Sequence, residues 1–302
     1  MITVFGSINV DFVTRVDHIP AKGETVLGPD YQVFAGGKGG NQALAAARAG
    51  GQVRMVGAVG HDPFAPLGTV LLEQAGVDLT HLAACDAPTG AAFIAVNAQG
   101  DNAIVVASGA NRRARASQLE ALSFSAKEYL LVQRELDDHE TKTAMALAKA
   151  RGVRVILNSA PAHGMTKDWM PYLDILIANE GEIADLGQIL GLPTASPDTL
   201  AQLLAAAYDI TVIVTLGADG VICWSDGIRR ALPALAVTVI DTTAAGDSFC
   251  GAFAAALDRG LGLTGALQQG VAAGSLACQT LGAQSSIPDQ AAIEKALAGQ
   301  FI

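Results

Sequence analysis

The chain has 302 residues, 51% of them hydrophobic and 16% charged, with 33 glycines and a formal net charge of −10. That length can bury a large core, and the composition fits a soluble α/β enzyme built as one large domain with an attachment, or as two domains. The acidic balance argues against a nucleic-acid or anionic-membrane surface; any phosphate-bearing substrate must be held by local dipoles and a cation against the field of the whole protein. Cys85, Cys223, Cys250 and Cys278 are scattered with no C-x-x-C pair, which reads as buried free thiols in a reducing compartment. No uninterrupted apolar run is long enough to span a bilayer, and residues 1–5 lack a basic leader, so a cytoplasmic location is expected. The histidines, His18, His61, His81, His139 and His163, show no ligand spacing, so no zinc site is expected.

In chain order, Ile2-Thr3-Val4-Phe5 reads as a buried strand ending at Gly6-Ser7-Ile8-Asn9-Val10-Asp11. Side chains alternate along an extended chain, so Asn9 and Asp11 share a face. Such a pair at the C-terminal end of a strand suits vicinal hydroxyls, because ligands of open α/β sheets gather at that end; a plain polar turn is the alternative. Residues 12–16, 25–27 and 31–34 read as short strands with no helix between them, hence a small β flap outside any βαβ sheet. Ala35-Gly36-Gly37-Lys38-Gly39-Gly40-Asn41-Gln42-Ala43 follows, then a helix over residues 44–48. G-x-x-x-x-G-K-[ST] does not occur and no strand leads directly in, so this is not a P-loop. Its glycines let backbone approach a small ligand that Asn41 hydrogen-bonds.

A strand over 53–59 and a helix over 63–74 form a β-α unit. Residues 89–96 and 103–106 pair as a hairpin, completing a lid sheet of about four strands from about residues 12–34 and 89–108. Bare, apolar lid strands are a liability that a homodimer joined lid to lid would cover. From about residue 115 the pattern becomes βαβα, with strands over 129–132, 153–157, 175–178 and 211–216 and helices over 138–150, 180–190 and 198–207. This alternation implies a doubly wound, mostly parallel sheet with helices on both faces. Polar residues cluster at its strand ends: Gln133, Glu135, Asn158, Asn179, Glu182, Thr215 and Gly217. Taken alone, Glu182 is a first-turn helix acid. The turn from Thr215 through Gly217 to Gly220 joins the strand before it to one over 221–224.

The chain is organised around Asp241-Thr242-Thr243-Ala244-Ala245-Gly246-Asp247-Ser248-Phe249. The β-branched run Val237-Thr238-Val239-Ile240 reads as a strand feeding this turn, which opens a small-residue helix to Leu257. Backbone N–H groups at such an end favour an anion, and Ala244, Ala245 and Gly246 let a bulky one approach. Asp247 stands where a carboxylate can take a proton beside that anion; mere decoration of a helix N-terminus is the alternative.

Several strings occur together and in order. They are G-S-I-N-x-D at residues 6–11, G-G-K-G-x-N-Q-A at 36–43, N-x-x-E at 179–182 and D-T-x-A-A-G-D-x-F at 241–249. With them the chain resembles the ribokinase (PfkB-type) family of sugar and nucleoside kinases from Gly6 to Gln284. The resemblance implies an ATP-dependent kinase acting on the primary hydroxyl of a furanose, D-ribose first among them. In that reading Asn9, Asp11, Gly37, Lys38, Asn41 and Glu135 bind sugar and Asp247 is the general base in an anion hole of Ala244, Ala245 and Gly246. ATP falls to Asn179, Glu182, Thr215, Gly217, Gly220 and Gly246. Mg²⁺ is held through the phosphates and Glu182, and K⁺ by a loop comprising Asp241, Thr243, Ala277, Thr280, Gly282 and Ser286. Arg134 replaces an apolar residue of the family's Q-L-E, which bears on substrate choice. Kinases of the same scaffold acting on deoxyribose, a fructose-type sugar or a nucleoside share every motif, and a non-catalytic sugar or nucleotide sensor is the rival from another class.

Overall fold

The computed structural model describes residues 1–125, 127–162 and 164–299; His163, read above as no metal ligand, lies outside the described residues. The strands are β1 Ile2–Phe5, β2 Asn9–Arg15, β3 Gln32–Gly36, β4 Val53–Gly60, β5 Asp78–Cys85, β6 Gly90–Val96 and β7 Asn102–Ala107, then β8 Tyr129–Val132, β9 Arg154–Asn158, β10 Ile175–Asn179, β11 Thr211–Thr215, β12 Val221–Ser225 and β13 Ile228–Leu232. The helices are α1 Lys38–Arg48, α2 Phe64–Gln74, α3 Asp138–Ala150, α4 Glu180–Ile189, α5 Pro197–Tyr208, α6 Ala245–Asp258, α7 Gly262–Ala277 and α8 Gln290–Gly299.

A 9-stranded sheet runs in the order β13-β12-β11-β10-β9-β8-β1-β4-β5, parallel from β11 to β5 and antiparallel at β12 and β13. Its central strands are buried on both faces, hence their continuous Val, Ile and Leu. One face packs on α1, α6 and α7 through Leu44, Phe249, Phe253 and Leu267; the other packs on α3, α4 and α5 through Met145, Leu186 and Leu204. The chain leaves β1 towards β4 and β5, then returns to the opposite side of β1 as β8, so the order reverses between β1 and β8. Ligands of open sheets collect outside such a reversal.

The second sheet has 4 strands in the order β3-β2-β6-β7. Residues 25–27 are not a strand: β2 already has β3 on one side and β6 on the other, and Leu27 is 86% exposed. β3 does lead directly into α1, and α1 begins at Lys38, so the glycine-rich stretch is the helix's first turn. Residues 237–240 are also not a strand, because Pro233 ends the run after β13 and the chain leaves the sheet edge. Three elements had no expectation attached: β5, the polar edge strand β13 and α8. α7 runs from Gly262 to Ala277. No helix among the described residues is long and apolar enough to cross a membrane.

α1 and α6 cross closely because Gly251 lacks a side chain: a Cβ there would lie 2.5 Å from both the Ala45 Cβ and the Gln42 carbonyl oxygen. Helix propensity alone would make Gly251→Ala stabilising by roughly 1 kcal/mol. Overpacking dominates here, so the variant should lose about 1–3 kcal/mol, read as a lower urea midpoint with an unchanged slope. A midpoint at or above that of the parent would refute the tight crossing.

Candidate active site

The site forms where α1 and α6 meet the C-terminal ends of β1 and β8. Asp247, in the first turn of α6, is 7% exposed. Its Oδ2 accepts from Asn41 Nδ2 at 2.9 Å and its Oδ1 from Gln42 Nε2 at 2.8 Å. Gln42 Nε2 also donates to Asn158 Oδ1 at 3.0 Å, and Gln42 Oε1 accepts from Gln133 Nε2 at 2.7 Å. A buried line of amides therefore fixes the carboxylate, while Asn41 Oδ1 and Gln133 Oε1 are buried without a partner among the described residues. Such orphaned acceptors are costly unless a ligand or water completes them.

The residues expected to bind sugar gather at the sheet's reversal point. Glu135 Oε2, just beyond β8, accepts from Ser7 Oγ at 2.6 Å and from the Lys38 backbone N–H at 3.0 Å. Asn9 is buried, and its Oδ1 accepts from Asn111 Nδ2 at 2.7 Å; Asn111 also binds both backbone groups of Ile8. Gly37, at φ 84°, lies so close to β2 that a Cβ would be 2.7 Å from Asn9 N. Burial, followed by the charges of Glu135 and Asp247, pushes the Asp11 carboxyl up to about 7. Lys38 stands in the field of Asp247 above all, then of Glu135 and Glu182, and these hold its ammonium above its ordinary value despite burial. Arg134 points the other way. It bonds both oxygens of Asp138 at 2.7 and 2.8 Å and the Ala162 carbonyl at 3.0 Å, and it lies over Trp169. β alternation puts Gln133 and Glu135 on the site and Arg134 off it.

On the far side of the α6 N-terminus lies a mostly apolar cavity of about 560 Å³. Thr215, Gly217, Gly220, Ala245 and Gly246 line it, as expected, and Val271 does too. Asn179 and Glu182 are not among its lining residues; they form a capping box at the start of α4, each side chain bonding the other's backbone N–H at 2.8–2.9 Å. Burial raises the Glu182 carboxyl above its usual range. Ala244 adopts φ 60°, the left-handed region that non-glycine residues enter at a cost and that is found at functional turns. Ala245 N–H is taken by Thr242 O at 3.2 Å, whereas Gly246 and Asp247 N–H have no backbone acceptor ahead of the helix among the described residues.

Among the residues expected to hold K⁺, Asp241 accepts from Thr243 N and Oγ1 through one oxygen and from Gly282 N through the other. Burial would raise its pKa, but these bonds outweigh it and hold the carboxyl below its ordinary range. Thr280 N–H donates to the Ala277 carbonyl and Ser286 to that of Ala283, and the Gly282 N–H between them ties this carbonyl-rich loop to the Asp241 carboxylate. That donor chemistry fits a hard monovalent cation, and no group of three His, Cys, Asp or Glu able to hold a metal occurs among the described residues.

Sequence reasoning missed the wall formed by Leu235, Val237 and Val239, whose β-branched pattern faces the cavity rather than a neighbouring strand, and it gave Gln42 no role. Gln42 lies beside Asn41 in the chain, but neighbouring helix positions do not share a face, so only the packed structure brings both to Asp247.

Residues 1–290 match the pfkB family of carbohydrate kinases. The chain is 38% identical to a ribokinase of Haemophilus influenzae over 294 residues, covering 95% of each. It superposes on a ribokinase from Thermotoga maritima with a TM-score of 0.90 at 35% identity, covering 98% of this chain and 99% of that one. Arabidopsis thaliana ribokinase, solved with ribose and ATP, superposes with a TM-score of 0.85 at 30% identity over 98% of each chain.

Asp11 generates a test. Its carboxyl holds its proton more tightly folded (about 7) than unfolded (3.8), so stability is complete below the lower value and falls as pH rises through the upper. Relative to the parent, Asp11→Asn should gain stability between about pH 4 and pH 8, by at most roughly 4 kcal/mol. Urea unfolding across that range checks it, and a constant difference between the two proteins would count against the buried, acid-flanked Asp11.

Proposed function

The chain belongs to the pfkB family of carbohydrate kinases, and from that membership we propose that it transfers the γ-phosphoryl group of ATP to the primary 5-hydroxyl of D-ribose. The observation that carries the reading is the Asp247 carboxylate, locked by Asn41 and Gln42 between the polar pocket at β1 and β8 and the apolar cavity beside α6. The relatives named above support ribose as acceptor and ATP as donor.

Asn9, Asp11, Asn41 and Glu135, with the backbone at Gly37, hold the sugar hydroxyls. Asp247 orients the 5-hydroxyl and takes its proton as the oxygen bonds to the γ-phosphorus; the bond to the β,γ-bridging oxygen breaks and ADP departs. The N–H groups of Gly246 and Asp247, in the turn shaped by Ala244 and Ala245, stabilise charge developing on the transferred group. Lys38, charged in its field of carboxylates, offsets the negative charge that gathers there. Thr215, Gly217 and Gly220 accompany the nucleotide in the cavity.

Mg²⁺ supplies charge neutralisation when bound with ATP. Glu182 fits it through water, since one of its oxygens is spent on Asn179 and Mg²⁺ keeps much of its hydration shell. K⁺ fits the loops of Asp241, Thr243, Ala277, Thr280, Gly282 and Ser286, where it would stiffen the turn leading into α6. The 4-stranded sheet acts as a lid that keeps water from the phosphoryl group. Its strands β6 and β7 expose Phe93 (52%), Ile104 (52%), Val105 (67%) and Val106 (49%), an apolar patch that a second copy of the chain would cover. The protein is proposed to act in the cytoplasm.

Asp247→Asn should lower kcat by at least ~10²-fold with little change in ribose Kd, the range expected for a lost general base. Unchanged turnover would remove Asp247 from the chemistry. At fixed ATP, ribose should give a higher kcat/KM than 2-deoxyribose, fructose or adenosine; a better substrate among these would replace ribose in the assignment. Light scattering should return a dimer, and Val105→Lys should return a monomer; a monomeric parent would end the lid-to-lid arrangement.

A further inference from the structure

Three hydrogen bonds converge on Asn111, a residue outside the set assigned to sugar or nucleotide. It sits in the 3₁₀ turn Gly109–Arg113 that follows β7 and is 1% exposed. Its Oδ1 accepts from the Ile8 backbone N–H at 2.9 Å, and its Nδ2 donates to the Ile8 carbonyl at 3.1 Å and to Asn9 Oδ1 at 2.7 Å.

These bonds orient two amides in succession. A backbone N–H can only donate and a backbone carbonyl can only accept, so Ile8 dictates which end of the Asn111 amide carries oxygen. Turned over, Asn111 would set donor against donor and acceptor against acceptor on both groups of Ile8. With its nitrogen so placed, Asn111 dictates Asn9 in turn: Asn9 Oδ1 is engaged, and Nδ2 is the end left over. Asn9 is 3% exposed and its Nδ2 has no acceptor among the described residues, a costly state unless a ligand or water supplies one. β6 covers the bond between the two amides. Asn9 pairs with Gly90 in the ladder of β2 and β6, and a Cβ at Gly90 would lie 2.2 Å from Asn111 Nδ2 and 2.3 Å from Asn9 Oδ1. Asn41 is locked with the opposite polarity, since its Nδ2 is engaged by Asp247 and its buried Oδ1 is the free end.

We propose that Asn111 is a positioning residue for sugar selection: through Asn9 it makes one side of the sugar pocket donor-only, so the sugar hydroxyl that meets Asn9, one of the vicinal 2- and 3-hydroxyls, is read as an acceptor. This rests on the sugar-kinase reading above and adds the polarity with which the sugar is recognised. Asn111 acts through Asn9 and has no bond to Asp247, so it sets sugar affinity and leaves the chemical step alone.

Two variants break the Asn9–Asn111 bond by different means. In Asn111→Asp one carboxylate oxygen still accepts from the Ile8 N–H, but the other has no proton for Asn9 Oδ1, so the Asn9 amide turns over and offers oxygen to the sugar. Gly90→Ala crowds the same bond and leaves both asparagines in place. Sugar Kd is measured by calorimetry without nucleotide, and kinetics at saturating ATP, using ribose and its 2-deoxy, 2-deoxy-2-fluoro, 3-deoxy and 3-deoxy-3-fluoro analogues. Both variants should raise ribose Kd and KM by roughly tenfold or more, with kcat within about twofold of the parent. Fluorine accepts weakly and cannot donate. At the position facing Asn9 the parent should therefore bind the fluoro sugar more tightly than the deoxy sugar, and Asn111→Asp should reverse that order because fluorine then meets an oxygen. A merely structural role would weaken every sugar alike. Unchanged ribose affinity in the variants, a fall in kcat without a rise in KM, or a fluoro–deoxy order that does not reverse overturns the proposal. The parent alone also decides: deoxy sugars bound as tightly as their fluoro counterparts at both positions overturn it without any variant. A parent that binds no ribose defeats the ribose assignment instead, and the same comparison is then made with analogues of the sugar of highest kcat/KM.

Discussion

The geometry of the site depends on two amide-to-carboxylate bonds, from Asn41 and Gln42 on α1 to Asp247 on α6. The partners are 206 and 205 residues apart in sequence, so they meet only if the whole sheet between them is assembled. Gln42 is oriented in turn: Gln133 donates to its carbonyl, which leaves its amide nitrogen facing Asp247 and Asn158. Gln133 stands at the end of β8 and Asn158 at the end of β9, so two central strands set the rotation of one helix side chain. A proposed base held this way keeps its lone pairs pointed in one direction and loses little entropy when a substrate arrives.

Topology explains why the residues proposed to bind sugar gather where they do. β1 and β8 are neighbours whose outgoing chains diverge, one into the small sheet and the other into α3. Residues just past their ends, Ser7 and Asn9 on one side and Gln133 and Glu135 on the other, therefore face a common crevice. The apolar cavity forms by a different device: the chain leaves the sheet edge after β13 and runs across α7, where Leu235 N–H donates to Ser275 Oγ at 3.1 Å and Ile240 N–H to the Cys278 carbonyl at 2.8 Å. The first turn of α6 borders both pockets. A group placed between them has one carboxylate to one side and free backbone donors to the other.

Much of this was legible in the sequence because small residues and polar strand ends leave local marks. The run Ala244-Ala245-Gly246-Asp247 announced a helix start, and the alternation of 129–132, 153–157, 175–178 and 211–216 announced the parallel sheet. The failures have a common cause in tertiary context. Val237 and Val239 carry the β-branched pattern of a strand, yet the neighbour that received them was a cavity. Residues 25–27 looked like a strand but had no free edge to join, since both sides of β2 were taken. β13, Ile228-Arg229-Arg230-Ala231-Leu232, was too polar to read as a strand because an edge strand buries so little. Glu182 illustrates the opposite case: the first-turn helix acid that local reading makes of it is found in α4, where the structure adds a capping box with Asn179, and that place coexists with the role proposed for it beside phosphate.

Electrostatics adds a constraint that neither motif nor topology supplies. Asp11, Glu135, Asp247 and Glu182 act on a region in which Lys38 is the cation they share, inside a protein already at −10. A polyphosphate entering beside them meets repulsion unless the local charge is lowered. Two features of the fold lower it: burial drives Asp11 towards neutrality near pH 7, and the backbone N–H groups at the head of α6 present positive potential without a charged side chain. A divalent cation accompanying the nucleotide would supply the remainder. Sugar hydroxyls, by contrast, carry no charge and gain from acceptors, so the carboxylates that oppose a phosphate are the same groups that favour the other substrate. The division of the crevice into an acidic half and a dipole-lined half follows from those opposite needs. Asp247, in the first turn of α6, stands on that boundary, where the proposed base would serve both.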